Sequence, residues 1–559
     1  MQEDRMELRK HFTSIALVGS LLVALATFGM AATAASAYAD DSASTTATGS
    51  ITINTNTNVT TDSTKLSGYQ IFKADVADKT VGTVTTKAVS NIDWANDTVK
   101  SIVNEQIKAV DSSYTSTSAQ EAANWLTEHA SGSGSSTVVS SSDAFGKIAK
   151  ALRASSITAT EVTPGTPVSL NTGYWLFVTT ESTTSGIINQ VGTAPIYAVV
   201  GGSAVTVDQK SSLPTVSKFI RNDATGSGWT KYADSQIGQN IEYKLSGTIA
   251  DTYTSYDSYY YSFSDVLESG LTANLDSVTV KVQTPASGST AQTETTVAAS
   301  SYSKSIDSTT NTLKVTIDDL KKIKDENGKA ISITPNSIVT VYYTASLNSK
   351  ALVATKHNDN TVTLTYSNNP GTDSHGETAP DTVRDYTYEL MLMKIDSSDN
   401  SKALSGAKFT IQATNPDEGE GTQYVQSDGS LGDTAQEFTT GSDGGIYISG
   451  LDAGTYTVVE TQAPSGYNTT PSFTFTILPV YDTTTGDINK ITASTSDASM
   501  SSASVTDGVI TVLVKDNPGM TLPLTGQNGV ALLWLVGGAM IAAGIVYMIR
   551  SRRKDKAQQ

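Results

Sequence analysis

At 559 residues the chain is long enough for about three domains of roughly 150 residues each. The absence of cysteine excludes disulfides and thiolate metal sites. A net charge of −18, with charged residues only 16% of the total, argues against nucleic acid as a partner, because that requires clustered Lys and Arg. Abundant Ser, Thr and Gly beside many Tyr and Val favour β-rich extracellular architecture over a helical cytosolic enzyme.

Residues 1–39 read as a secretion signal. Arg5, Arg9 and Lys10 precede an apolar stretch from Ile15 to Met30, and Ala37-Tyr38-Ala39 offers small residues for cleavage after Ala39. This segment is charge-neutral and the tail after Gly526 carries +4, so the exported part, 40–525, holds about −22. Such a surface resists self-association.

The first domain is expected over 40–207. After a flexible Ser/Thr leader, alternation begins at Ile51-Thr52-Ile53 and continues in Gly68–Phe72. The period then changes. Val99, Ile102, Val103, Ile107 and Val110 share a helical face behind capping-type Asn96 and Asp97. Ser118 to Glu121 fits a capping box, and Phe145, Ile148, Ala149 and Leu152 form a third helical pattern. Strands return at Gly173–Val178 and Ile196–Val200, so this domain is a β-structure with a helical insertion.

The second domain is expected over 208–370, opening with a junction at 208–215. Its strands are expected near Val216–Ile220, Ile241–Leu245, Tyr259–Phe263, Val278–Val282, Val339–Tyr343 and Val362–Tyr366. Residues 369–385, rich in Asn, Gly, Asp and Pro, read as a linker. The third domain, 386–521, holds Ala407–Ile411, Gly445–Ile448, Gly454–Glu460 and Phe473–Ile477. Short alternating strands divided by Gly and Asp turns predict a mainly β chain of tandem immunoglobulin-like sandwiches. Leu522, Pro523, Leu524, Thr525 and Gly526 follow, then an apolar run at 529–549 of membrane-spanning length. A basic tail, 550–559, would stay cytoplasmic.

Residues two apart in a strand share a face. Tyr386, Tyr388, Leu390 and Leu392 therefore lead to Lys394, Tyr456 and Val458 to Glu460, and Val512 and Val514 to Asp516. In the second domain Lys218 lies between Val216 and Ile220, Asp265 follows Tyr261 and Phe263, and Asn368 follows Leu364 and Tyr366. Burial lowers the pKa of Lys and raises that of a carboxylic acid, which favours the neutral amine and the protonated acid that amide formation needs. An ordinary buried ion pair, or a strand-end Lys reaching solvent along its stem, satisfies the same parity.

Lys394-Ile-Asp, Leu404-Ser-Gly-Ala-Lys-Phe409 and Tyr456-Thr-Val-Val-Glu460-Thr-Gln-Ala-Pro464-Ser-Gly-Tyr467 resemble a collagen-adhesin B-type domain, the last segment being similar to the pilin E-box. Leu522–Gly526 with its apolar run and basic tail resembles a cell-wall sorting signal of the LPXTG type. Together they resemble major pilins of Gram-positive sortase-assembled pili. The resemblance implies that Lys394 is a nucleophile and Glu460 its catalyst; Asp516-Asn517 stands where the family usually has an Asn, and parity favours Asp516 as acceptor, with Asn517 as the alternative. In the second domain it implies a Lys218–Asn368 isopeptide catalysed by Asp265, with Asn369 as runner-up acceptor. The opening strand, Ser50–Thr55, has no Lys in the corresponding place, so no bond is expected in the first domain.

The resemblance further implies sortase cleavage between Thr525 and Gly526, and transfer of Thr525 to a Lys of the next subunit. Lys210, in Val205-Thr-Val207-Asp-Gln-Lys210, holds the position of the pilin-linkage lysine, although Asp208 and Gln209 replace the family's Tyr-Pro. The implied partners are pilus-specific and housekeeping sortases, other copies of the chain, minor pilins, peptidoglycan and a host ligand. The implied location is the cell wall or pilus. A monomeric wall-anchored adhesin with the same stalk is the alternative. The four His residues show no metal-ligand spacing, and no phosphate loop or Ser/His/Asp pattern is evident, so neither cofactor nor turnover enzyme is expected.

Overall fold

The computed structural model describes residues 47–519 except 58, 60–61, 82, 131–136, 181–187, 222–227, 286–291 and 414–422. The export signal, the Leu522–Gly526 motif, the 529–549 run and the basic tail lie outside the described residues. The chain forms two compact units. One runs to Thr387 and includes Tyr481–Asn489; the other holds Tyr388–Val480 and the residues from Lys490 onward.

The first unit opens with Thr48–Ile53, which lies antiparallel to Val168–Asn171 and parallel to Val205–Val207. A second sheet runs in the order Val84–Trp94, Leu66–Val81, Gly173–Thr179, Ile196–Val200, with Thr160–Val162 also pairing to Leu66–Val81. Ile51 and Ile53 cluster with Trp175, Phe177 and Val200. On the other side, Tyr69, Ile71, Leu176 and Val178 cluster with Val103, Ile107, Leu126 and Ile148. The strand Gly173–Thr179 thus serves two cores, which explains why it reads as an unbroken apolar run rather than an alternating one.

The helical insertion comprises Asp97–Val110, Ala119–Glu128 and Ala144–Arg153. Each starts where a polar side chain meets an unpaired amide. Asn96 accepts from the Val99 amide at 2.9 Å, and Asp143 from the Gly146 amide at 2.8 Å. Such caps contribute about 1 kcal/mol each. Gly146 is there for space, since a Cβ would stand 2.0 Å from the Ser140 carbonyl oxygen.

Beyond this block the first unit contains a sandwich. One sheet has the order Trp229–Thr230, Val216–Arg221, Ile241–Thr248, Ile338–Leu347, Leu271–Thr284, Thr293–Thr296. The other has the order Tyr232–Asp234, Asp381–Tyr386, Asn358–Ser367, Tyr261–Leu267, Thr312–Ile317, Ser303–Asp307, with His375–Glu377 on Asn358–Ser367. Tyr243, Leu245, Tyr261, Phe263, Val341 and Leu364 form its core, each worth roughly 1.5–3 kcal/mol of burial.

The expected linker at 369–385 is corrected here. Its C-terminal part enters Asp381–Tyr386, which sits inside the sheet between Tyr232–Asp234 and Asn358–Ser367. Tyr386 accordingly ends a strand of the first unit, while Tyr388–Asp396 opens the second.

In the second unit Tyr388–Asp396 lies between Gly445–Leu451 and Val509–Asp516, the latter parallel to it, with Ser501–Thr506 at the edge. The opposing sheet contains Lys408–Ala413, Gly454–Gln462 and Phe473–Tyr481 at its centre. A sandwich of this kind is the fold expected from alternation.

Candidate functional site

The inward row of Val216–Arg221 carries Lys218 into the middle sandwich, where it has no solvent exposure. Tyr261–Leu267, in the opposing sheet, aims Asp265 at it from an equally buried position. Lys218 Nζ donates to both Asp265 oxygens at 2.6 Å, and to the Tyr343 hydroxyl at 3.1 Å. Tyr343 donates to Asp265 Oδ2 at 2.5 Å and accepts from Asn360 Nδ2 at 2.6 Å. The stacked rings of Tyr243 and Tyr343, 5.1 Å apart, flank the amine at 5.0 and 5.3 Å. Burial pushes the Lys218 pKa down to about 8, against the upward pull of Asp265. Asn360 is fully buried and its Oδ1 has no hydrogen-bond partner, an arrangement that costs about 1–3 kcal/mol.

Asn368, the acceptor expected from the sequence, is not in this cluster. It shares strand parity with Asn360 but lies eight positions further on, roughly 26 Å along an extended strand. There its Nδ2 donates to the Gln190 carbonyl at 3.2 Å, and its Oδ1 accepts from Ser374 Oγ at 2.8 Å. The Gly192 amide donates to the Asn368 carbonyl at 2.6 Å. Asn369 makes similar contacts, donating to the Thr179 carbonyl at 3.4 Å and accepting from Arg153 at 3.4 Å. Both asparagines therefore fasten the middle sandwich to the preceding β-block.

In the second unit, the parallel register of Tyr388–Asp396 with Val509–Asp516 sets Asp396 beside Asp516 and leaves Lys394 one inward position back. Lys394 Nζ stands 3.0 Å from Glu460 Oε1 and 3.3 Å from Asp516 Oδ2, and donates to Thr470 Oγ1 at 2.7 Å. Glu460 arrives from the opposing sheet and its Oε2 accepts from the Thr470 amide at 2.5 Å. Burial, with the Glu460 charge added, raises the Asp516 pKa, while Lys394 pulls it down. Asn517 points outward, where its Oδ1 accepts from Ser397 Oγ at 2.7 Å. Parity thus leaves Asp516, not Asn517, facing the amine.

Two features went unnoticed in the sequence. Tyr467 donates to Asp396 Oδ2 at 2.7 Å, and Lys402 donates to Tyr467 at 2.7 Å, pinning the end of the E-box-like segment to the Lys394 strand. Lys87, in the first β-block, is buried and donates to Asp78 Oδ1 at 2.5 Å and to the Ser203 carbonyl at 2.7 Å. A Lys in a Thr-rich hairpin gives no sequence signal of burial.

The role of pilin-linkage lysine calls for an accessible amine at Lys210. It is half-buried, its amine donates to the Thr137 carbonyl, and burial lowers its pKa. Asp208 accepts from Asn54 at 2.6 Å and Gln209 donates to Asp62 at 2.6 Å, so both residues that replace Tyr-Pro are tied to the first β-block.

A family model of the prealbumin-like SpaA domain matches residues 388–492, and an LPXTG cell wall anchor motif matches 515–556. A fimbrial subunit type 2 of Actinomyces naeslundii is 27% identical over 351 residues, covering 57% of this chain and 58% of that protein. The match therefore spans little more than half of that relative's length. Among solved structures, the T6 backbone pilin of serotype M6 Streptococcus pyogenes is 16% identical, covers 86% of this chain and 100% of its own, and has a TM-score of 0.46. The full-length major pilin SpaD of Corynebacterium diphtheriae is 15% identical, with 85% and 98% covered and a TM-score of 0.41. The group B streptococcus pilus 2b backbone protein is 21% identical, with 55% and 99% covered and a TM-score of 0.38. Through its two matched segments and its fimbrial relative, this chain is similar to the cell-wall-anchored surface pilins of Gram-positive bacteria.

Proposed function

We propose that the chain is the repeating subunit of a covalent fibre, closed internally by two isopeptide bonds and joined to its neighbours by sortase. The observation that carries this reading is the pair of dry clusters: Lys218 on Asp265 with Asn360 joined to both through the Tyr343 hydroxyl, and Lys394 between Glu460 and Asp516. In the middle sandwich Lys218 attacks the Asn360 carboxamide and ammonia leaves, with Asp265 as the acid–base group. In the second unit Lys394 attacks the Asp516 carboxyl and water leaves, with Glu460 in that role. Each acid acts once, on its own chain, so the protein is structural rather than a turnover enzyme. Thr525 would form the intermolecular bond, with Lys210 as acceptor, and peptidoglycan would take the final subunit. Minor pilins and a host ligand complete the proposed partners.

Tryptic mass spectrometry of the full chain tests the internal bonds. Branched peptides joining Lys218 to Asn360, short by one ammonia, and Lys394 to Asp516, short by one water, are expected. Linear peptides at both places would sink the cross-link reading.

The half-buried amine of Lys210 favours a second reading, a monomeric wall-anchored adhesin on an isopeptide-stabilised stalk. Wall extracts separate the two. A high-mass ladder that collapses in Lys210→Ala supports the fibre, and a single band supports the monomer.

A further inference from the structure

The middle-sandwich cluster contains a residue that the proposed chemistry has not yet used. Tyr343, on Ile338–Leu347, touches the amine, the acid and the amide through one oxygen. Its hydroxyl accepts from Lys218 Nζ at 3.1 Å and from Asn360 Nδ2 at 2.6 Å while donating to Asp265 Oδ2 at 2.5 Å. The hydrogen-bonded path from Asp265 to the Asn360 nitrogen runs through that hydroxyl. Asp265 itself is occupied at both oxygens by Lys218.

We propose that Tyr343 is a catalytic residue of the Lys218 centre, carrying the proton from Asp265 to the Asn360 nitrogen as that nitrogen leaves. The proposal rests on Asn360 being the acceptor.

The step balances as follows. Lys218 passes one proton to Asp265, leaving a neutral amine and a carboxylic acid. The amine lone pair attacks Asn360 Cγ, forming the Nζ–Cγ bond. Asp265 then gives its proton to Tyr343 as Tyr343 gives its own to Nδ2. The Cγ–Nδ2 bond breaks, its electron pair staying with nitrogen, and ammonia departs. The surplus proton on the newly acylated Nζ returns to Asp265, which ends protonated beside a neutral amide. No oxidant, metal or external base enters.

A phenol suits this position. It accepts one proton as it releases another, so no net charge has to form on it in a dry core. Burial and the nearby Asp265 charge raise the Tyr343 pKa well above its ordinary value, which keeps it a proton carrier rather than a phenolate. The ring also stacks on Tyr243, and a purely structural role would rest on that packing alone.

Tyr343→Phe keeps the ring and removes the hydroxyl. The full chain is made by pulse-labelled cell-free translation and sampled for the Lys218–Asn360 branched peptide over time, since a bond already closed survives unfolding. The Lys394–Asp516 bond in the same molecules serves as an internal clock. The expected result is a slowing of at least tenfold at Lys218, with the clock unchanged. Folding is read separately from the melting of Asn360→Ala and of Asn360→Ala/Tyr343→Phe, neither of which can close the bond; a cooperative transition is expected in both, lower in the second because the hydroxyl's buried hydrogen bonds are lost. Bond formation in Tyr343→Phe at the wild-type rate would overturn the proposal. So would a slowing accompanied by loss of the cooperative transition in Asn360→Ala/Tyr343→Phe. If Asn360→Ala still yields a branched Lys218 peptide, the acceptor reading fails instead, and the relay fails with it.

Discussion

Lys218 sits where burial draws its pKa down to about 8, below the roughly 10.4 of an unfolded chain. The sign of the stability effect follows. Below about 8 both states hold the proton and the destabilisation is fully present. Between about 8 and 10.4 the unfolded chain binds a proton that the folded chain does not, so stability rises with pH across that window. Asn360→Ala exposes this term, because it keeps the Lys218–Asp265 pair without the bond. Comparing its urea midpoint with that of Asn360→Ala/Lys218→Met/Asp265→Leu, which replaces the whole buried pair, cancels other titrating groups. The deficit of the Lys-bearing variant should shrink as pH rises from 8 to 10, and a constant deficit would show that the amine is not desolvated as described. The same residue scale explains why the two buried lysines were legible at all. Lys218 and Lys394 each interrupt an apolar row at even spacing, and a charge that extends a buried face must find a partner. Lys87 and the Tyr467–Asp396–Lys402 clamp gave no such interruption and stayed hidden.

At the scale of single elements, Asn358–Ser367 carries the main correction. Asn358, Asn360, Val362, Leu364, Tyr366 and Asn368 alternate with residues facing the other way, and strand parity cannot rank them. Near one end of this inward row Asn360 joins the Lys218 cluster through the Tyr343 hydroxyl, while Asn368, just past the other end, meets the first β-block. The two asparagines therefore predict opposite outcomes. Asn368→Ala should lower the unfolding free energy by about 1–3 kcal/mol through its lost buried hydrogen bonds, yet leave the Lys218 branched peptide intact. Asn360→Ala should abolish that peptide. Mass spectrometry and chemical denaturation of both variants check the pair, and loss of the peptide in Asn368→Ala would reverse the assignment. The helices were far easier to read, because capping side chains and a 3.6-residue apolar period are local signals.

For the whole molecule, the positions of the bonds decide what tension can extend. A Lys218–Asn360 bond removes 219–359 from the load path, and a Lys394–Asp516 bond removes 395–515. Residues 361–393 stay in it, including the strand Asp381–Tyr386. Peeled open, that stretch adds at most roughly 110 Å at ~3.3 Å per residue. The first β-block has no expected bond and should unravel first. Pulling the chain between its ends should give one large extension from the first block, one short one from 361–393, and no release of the cross-linked interiors. Full-length extension of either sandwich would contradict the bond placement. Limited proteolysis should show the same order, with cuts before Lys218 preceding cuts within either cross-linked region.

Sequence alone determined the β class, the three capped helices, the wall-anchor motif, and that Lys218, Lys394, Asp265, Glu460 and Asp516 face inward, because periodicity, capping and motif order are properties of neighbouring residues. Tertiary structure decided that Asn360 rather than Asn368 shares the Tyr343 hydroxyl with Lys218, that Asp381–Tyr386 completes a sheet rather than linking domains, and that the Lys210 amine is half-covered. These depend on how far along a strand two sheets cross, and no local pattern encodes that distance.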